Sequence, residues 1–149
     1  MNEGIQVNIN VLSIEEEHSS FAPMDAGRIK NNRDLLKLSQ QLVTEVCVSE
    51  QVIKVHSGIR YQIKDDEVSS LIICTTYRVR PFEELLQIDK EKKQIRFSAD
   101  YIPTLISAAY DSLRGIFYEK TKGSVLSEFP LPLSSPATLS SINRFKVTD

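Results

Sequence analysis

Apolar residues near the N-terminus alternate with polar ones. From Ile5 to Val11 every second residue is β-branched and apolar, and the residues between are glutamine or asparagine. A period of two is typical of a half-buried β-strand. The phase then shifts to Leu12 and Ile14, which favours a β-bulge or a strong twist near Val11. We expect a strand over Ile5–Ile14, in the same sheet as the strands that follow.

The next segment carries a weaker pattern. Residues 18–34 lose the alternation, and Pro23–Gly27 is typical of a loop. The leucines from Leu35 to Leu42 fit a short helix, whereas Leu36-Lys37-Leu38 also fits a strand. The conformation of residues 28–45 therefore stays open at this point.

Two long alternating runs follow, Ile53–Ile63 and Leu71–Arg80, and a short polar turn at residues 64–67 separates them. Such a pair predicts an antiparallel hairpin. Pro81 should end the second strand, because proline cannot donate to the ladder. Leu85–Ile88 and Gln94–Phe97 fit either a fourth strand or a short hairpin.

The period then changes to that of a helix. From Ile102 to Phe117 the apolar residues recur three and four positions apart, which predicts one amphipathic helix. Gly123 suits its C-terminal stop. Gly115 is unusual inside a helix, and a close approach of another backbone or helix would account for it. A final segment, Ala137–Phe145, fits one or two helical turns.

These elements predict a single α+β domain over residues 1–149. We expect an antiparallel sheet of about four strands with one long C-terminal helix packed against it. A chain of 149 residues with 41% hydrophobic and 26% charged residues is of ordinary globular composition.

Charge and cysteine content exclude several classes of function. Eighteen basic and twenty acidic residues give a net charge of −2, which is not the basic footprint expected of a duplex nucleic-acid binder. We expect no nucleic-acid partner. The N-terminus lacks the features of a signal peptide, and no apolar run approaches the ~20 residues of a membrane span, so we expect no membrane insertion and a cytoplasmic location. Cys47 and Cys74 lie in apolar runs and are interpreted as small packed residues.

Candidate chemistry is sparse. His18 lies in a loop-like stretch and His56 on the polar face of a strand, and neither has a His or Cys at metal-ligand spacing. Both are interpreted as solvated surface residues. We expect no catalytic residues, no metal and no cofactor, although catalytic triads assemble in space and a sequence does not exclude an enzyme.

The sharpest local motif is the segment from Phe129 to Leu139, which contains Pro130, Pro132 and Pro136. Together with the upstream helix residues Ala108–Gly115, it resembles the helix and the Phe-Pro-Pro-Leu-type motif of the SecB family of export chaperones. The order of elements along the chain is also similar to that family. The motif-specific part of the resemblance covers about residues 101–139.

The resemblance implies a SecB-like fold and a chaperone that binds non-native or extended polypeptides without ATP, with a link to protein export. It also implies a homo-oligomer, a dimer or tetramer. An apolar wall with few backbone donors suits such binding. The candidate polypeptide-binding residues are Phe129, Leu131, Leu133 and Leu139, which would otherwise cover the domain's own core. The alternative is a non-catalytic interaction subunit on the same fold with one defined partner.

Overall fold

The computed structural model describes residues 6–21, 26–89, 91, 94–98 and 100–149. Within these residues the chain forms strands β1 Asn8–Phe21, β2 Leu36–Cys47, β3 Val52–Ile63, β4 Asp66–Arg80, β5 Leu86–Asp89, β6 Gln94–Phe97 and β7 Asn143–Thr148. The helices are α1 Ala26–Asn31, α2 Phe82–Leu85, α3 Ile102–Thr121 and α4 Pro136–Ile142. Short 3-10 turns occur at Arg33–Leu35 and Val125–Glu128.

Five strands form the main sheet, in the order β1-β4-β3-β2-β7. The first four are antiparallel to their neighbours, and β7 lies parallel to β2. The predicted α+β class with a helix packed on a mostly antiparallel sheet is confirmed. The strand count was too low, because the main sheet has five strands.

The fifth strand, β7, was missed at the C-terminus. Pro136–Ile142 forms the expected short helix, and the Ser135 side chain caps it by accepting a hydrogen bond from the Thr138 N–H at 3.1 Å. Residues 143–145, predicted as the end of that helix, belong instead to β7. Most residues of β7 are exposed. Because neither face of this strand is buried, no alternation of buried and exposed residues marks it as a strand.

Strand β1 is longer than expected. It pairs with β4 from Asn8 to Phe21, and its register shifts between Val11 and Ser13 and again between Glu16 and His18. The first shift is the predicted bulge, which is confirmed. His18–Ser20 were expected to form a loop but continue the strand. Ile5 and most of the predicted Pro23–Gly27 loop lie outside the described residues.

The ambiguous segment around Leu38 is a strand. Strand β2 pairs with β3 along its whole length, from Leu36 opposite Ile63 to Cys47 opposite Val52. Its even-numbered residues become buried towards the C-terminal half, where Leu42 is part of the core. The local sequence fits a helix and a strand about equally well, so pairing with the long strand β3 decides in favour of the strand.

The predicted hairpin is present as β3 and β4, and β4 ends at Arg80, before Pro81. Of the two alternatives for the segments that follow, the short hairpin is correct, because β5 and β6 pair only with each other in the described structure.

Helix α3 covers one face of the main sheet, hereafter the inner face. Its buried stripe contains the residues of the predicted amphipathic pattern except Ile116, which is partly buried. The Tyr77 hydroxyl of β4 donates a hydrogen bond to the Leu105 carbonyl at 2.9 Å. Gly123 follows the helix with a φ of 82°, a left-handed conformation that favours glycine, as expected of a C-terminal stop. No helix in the described part of the chain is long and apolar enough to cross a lipid bilayer.

Candidate functional site

The extended segment 129–135, hereafter the proline strip, is held against the domain by its carbonyl groups. Prolines at 130 and 132 supply no N–H groups, so the strip cannot join a β-ladder there. Side chains bond three of its carbonyls instead. They are Tyr61 Oη to the Phe129 carbonyl at 3.0 Å, Arg114 Nε to the Leu131 carbonyl at 3.2 Å and Tyr110 Oη to the Pro132 carbonyl at 3.2 Å.

The four predicted binding residues differ in how far they are exposed to solvent. Leu131 and Leu139 belong to the hydrophobic core, with 4% and 1% exposure. Phe129 is partly buried and packs against that core, under the guanidinium of Arg33 at 5.4 Å from the ring centroid. Leu133 is 80% exposed. The four residues therefore do not form one continuous exposed wall, and polypeptide binding by them stays a prediction.

A groove of about 340 Å³, hereafter the helix groove, lies between α3 and the proline strip. Its apolar lining includes Phe117, Tyr118, Pro130 and Leu131. Tyr118 is 59% exposed, so much of its ring is open to solvent beside the groove. Tyr118 was not among the predicted site residues, although it lies one residue beyond the predicted helical stripe.

Gly115 opens this groove. The sequence suggested that a close approach of another element explains a glycine in mid-helix. That explanation is wrong within the described chain, because a Cβ added at Gly115 would meet no atom within 4 Å other than the backbone of its own helix. Gly115 instead leaves the helix backbone bare where it lines the helix groove.

An apolar edge is the second unpartnered surface. Strand β1 pairs with β4 on one side, and no described strand pairs with its other side. Val11, Leu12 and Ile14 on this strand are all exposed, Val11 by 57%. A long edge strand with apolar side chains offers both backbone hydrogen-bonding groups and apolar area to another chain.

A third apolar surface lies between the β5–β6 hairpin and β7, where a groove of about 640 Å³ opens. The rings of Phe97 and Phe145 meet there with centroids 5.4 Å apart, and Phe145 remains half exposed. Phe145 was not among the predicted site residues, because it was predicted to lie at the end of a helix.

The face of the main sheet opposite α3, hereafter the outer face, carries a polar cluster around His56. This histidine was predicted to be solvated, which is wrong, because its side chain is only 19% exposed. Its Nδ1 contacts a Glu17 carboxylate oxygen and its Nε2 lies 2.7 Å from Glu45 Oε1. The Cys74 sulfur raises the pKa of His56 most strongly. Burial opposes this, and hydrogen bonds to the two carboxylates bring the pKa to about 10.

His18 lies in strand β1 and not in the predicted loop, but it is a surface residue as expected. His18 is exposed and hydrogen-bonds Ser70 Oγ at 2.9 Å through Nε2. Cys47 and Cys74 are buried free thiols, which confirms their interpretation as packed residues. Burial raises the pKa of the Cys47 thiol.

Comparison with known proteins gives only distant likenesses. No protein-family model matches the chain, and no curated protein matches it. A solved protein of unknown function from Streptococcus agalactiae has 13% identity and a TM-score of 0.41, over 87% of this chain and 99% of that one. The Mycobacterium tuberculosis SecB-like chaperone, solved in complex with a peptide from the HigA1 antitoxin, has 14% identity and a TM-score of 0.44, over 85% of this chain and 90% of that one. At such low values neither likeness bears on function.

Proposed function

We propose that this chain is a SecB-like binding protein that holds extended or non-native polypeptides without ATP, in the cytoplasm and in connection with export. The observation that carries the proposal is the helix groove, an open apolar channel bordered by the proline strip and by the bare helix backbone at Gly115. The motif from Phe129 to Leu139, which resembles that of SecB proteins, supplies one wall of it.

The chemistry of the groove suits many sequences. Its volume of about 340 Å³ has room for one or two large apolar side chains of a client. Polar side chains in its lining already have partners within the chain. Arg114 donates to the Leu131 carbonyl and pairs with Asp111. The Thr121 and Ser127 hydroxyls donate to backbone carbonyls. Binding without a dense set of directional hydrogen bonds tolerates variation in the client, as a chaperone requires.

The free edge of β1 supports a homo-oligomer, the dimer or tetramer that the resemblance implies. Exposed Val11, Leu12 and Ile14 would be covered if this edge met a second copy of the chain. Solution mass measured by light scattering tests this part, and a strictly monomeric chain across a wide concentration range contradicts it.

Two substitutions at Gly115 test the binding site. Gly115→Leu adds a side chain into open space, so the helix should stay folded while the groove is obstructed. Glu119→Leu is the matched control, because it adds the same side chain at an exposed α3 position outside the groove lining.

The assay is suppression of aggregation of several unrelated unfolded proteins. We expect the parent and Glu119→Leu to suppress aggregation equally and Gly115→Leu to lose most of this effect while keeping its circular dichroism spectrum. Binding should show a negative heat-capacity change, because it buries apolar surface. Equal suppression by folded Gly115→Leu would move the site elsewhere, and no suppression by the parent would reject the chaperone proposal.

The alternative is an interaction subunit with one defined partner. The apolar edge of β1 favours it, because exposed residues on a single strand present one fixed register to a partner strand. Co-purification of one stoichiometric partner by a chain that ignores unfolded clients would establish this alternative.

A further inference from the structure

Three side chains that bind metals in other proteins converge on the outer face of the main sheet. They are Glu17 of β1, His56 of β3 and Cys74 of β4, and each offers one ligand atom. These atoms all lie within 4.8 Å of one another. Nothing in the spacing of the three residues along the chain suggests a site, since 39 and 18 positions separate them.

Strand register explains the convergence. His56 lies directly opposite Cys74 in the β3–β4 ladder, so both side chains project from the same face. Glu17 is the residue skipped by the β1–β4 register, between Glu16 opposite Ile73 and His18 opposite Ile72. This bulge in β1 brings the Glu17 carboxylate to the His56 ring.

The surroundings of His56 match those of a metal-bound histidine. While Nδ1 faces Glu17, Nε2 lies 2.7 Å from Glu45 Oε1. Glu45 is itself held by the Thr148 hydroxyl, which donates to Oε2 at 2.9 Å. A histidine that binds a metal through one nitrogen commonly donates its other N–H to a carboxylate, which fixes the ring orientation.

An ion-pair cluster is the competing explanation. An imidazolium between two carboxylates accounts for the contacts of His56 with Glu17 and Glu45, with the Cys74 sulfur as a further neighbour of the ring, and metal titration separates this explanation from a metal site. Sulfur, imidazole nitrogen and carboxylate oxygen together are the donors that zinc-type ions select, whereas calcium and magnesium take oxygen ligands. Ligand atoms bound to one zinc ion are roughly 3.3–3.8 Å apart, so small side-chain movements would complete the site.

We propose that Glu17, His56 and Cys74 bind one divalent transition-metal ion of the zinc type, with Glu45 orienting His56 and water in the remaining position. The ion joins the edge strand β1 to β3 and β4 across the outer face. The proposal is independent of the proposed chaperone function, because these residues lie on the face opposite α3 and the helix groove.

The test is titration of the chelator-treated full chain with zinc chloride by calorimetry, with a mild non-thiol reductant at slightly alkaline pH. We expect one zinc ion per chain and a rise in melting temperature on binding. Replacement of zinc by Co²⁺ should give a thiolate-to-cobalt absorption band. Cys74→Ser should remove the band and weaken zinc binding by at least ~100-fold, and Glu45→Gln should weaken it by about 10–100-fold.

Matched controls separate this site from unspecific binding. Cys47→Ser and His18→Gln change the other cysteine and the other histidine, and both should bind zinc as the parent does. If Cys74→Ser does not fold, Glu17→Gln at an exposed position replaces it, with an expected weakening of about 10–100-fold. Absence of saturable one-to-one binding by the parent, or equal effects of Cys47→Ser and Cys74→Ser, would overturn the proposal.

Discussion

The two faces of the main sheet are built from the same strands and differ in the interactions that stabilise them. On the inner face, Ile53, Val55, Leu71 and Ile73 are fully buried beneath α3. On the outer face, positions between these residues carry the cluster centred on His56. Alternation along each strand separates the two sets, because successive side chains point to opposite sides.

The stability of the two faces depends on neighbouring residues in different ways. Apolar burial on the inner face is non-directional and roughly proportional to area, so many combinations of residues would serve. The outer face depends on particular atoms at particular distances, such as Glu45 Oε1 beside His56 Nε2 at 2.7 Å. A shift of the strand register by one residue would bury fewer of the apolar side chains against α3. The same shift would remove all contacts of the polar cluster.

The largest effect is expected from the inner-face layer itself. Leu113 of α3 has no exposed surface, so Leu113→Ala removes buried methyl groups and leaves a cavity. We expect it to lower the free energy of unfolding by about 2–5 kcal/mol in a denaturant titration. Leu133→Ala, at a residue 80% exposed, should change it by less than about 0.5 kcal/mol. A similarly small loss for Leu113→Ala would show that α3 does not pack as described.

The buried tyrosines on the inner face and at the start of α3 should make the fold sensitive to alkali. Burial raises the pKa of Tyr61 and Tyr77 to about 12, and it raises the pKa of Tyr101 as well. Because the folded pKa lies above the unfolded value of about 10, the stabilisation is complete below pH ~10 and is lost as pH rises through the folded value. We expect a loss of about 3 kcal/mol for each of Tyr61 and Tyr77, since each pKa is raised from about 10 to about 12.

Tyr77→Phe supplies the control for this pH dependence. It removes one titrating group and one hydrogen bond, to the Leu105 carbonyl, so the variant should start about 1 kcal/mol less stable. Its free energy of unfolding should then fall less steeply above pH ~10 than that of the parent. If the free energy of unfolding falls equally steeply with pH in the parent and in Tyr77→Phe, Tyr77 does not contribute to the pH dependence.

A smaller effect is expected where β7 meets the outer face. The Thr148 hydroxyl donates to Glu45 at 2.9 Å, and Thr148→Val removes that donor at nearly constant volume. We expect a loss of about 1 kcal/mol in thermal unfolding. Thr148→Ser keeps the hydroxyl and should lie closer to the parent, whereas a loss for Thr148→Ser with none for Thr148→Val would attribute the effect to packing of the methyl group.

The smallest effect is expected away from both faces. Arg33 and Glu128 form an exposed ion pair at 3.1 Å. Glu128→Gln should cost no more than about 1 kcal/mol, and the cost should shrink further at high salt. A loss that persists in 1 M salt would show that the pair is less accessible to solvent than its exposure indicates.

The predictable part of the fold is the part with a strong period. The hairpin of β3 and β4, helix α3 and the bulge near Val11 all follow from local alternation. Strand β2 could not be separated from a helix by its leucines, and the strand resulted from pairing with β3. Strand β7 carried no burial signal, because most of its residues are exposed beside β2.

The candidate sites were less predictable, since they combine residues far apart in the chain. The proline strip was identified from its composition, but the burial of Leu131 and the exposure of Leu133 depend on which side packs against α3. Glu17, His56 and Cys74 have no motif spacing, and only strand register joins them.

Local sequence patterns were enough to assign residues to the faces of strands and helices, because a period of two or 3.6 is set by backbone geometry. The helix stop at Gly123 and the extended course of the proline strip also followed from local residues. The groove beside Gly115, the edge position of β1 and the contacts of His56 with its two carboxylates arose only on folding. Those outcomes depend on long-range pairing and packing, whose contacts join residues that no local pattern relates.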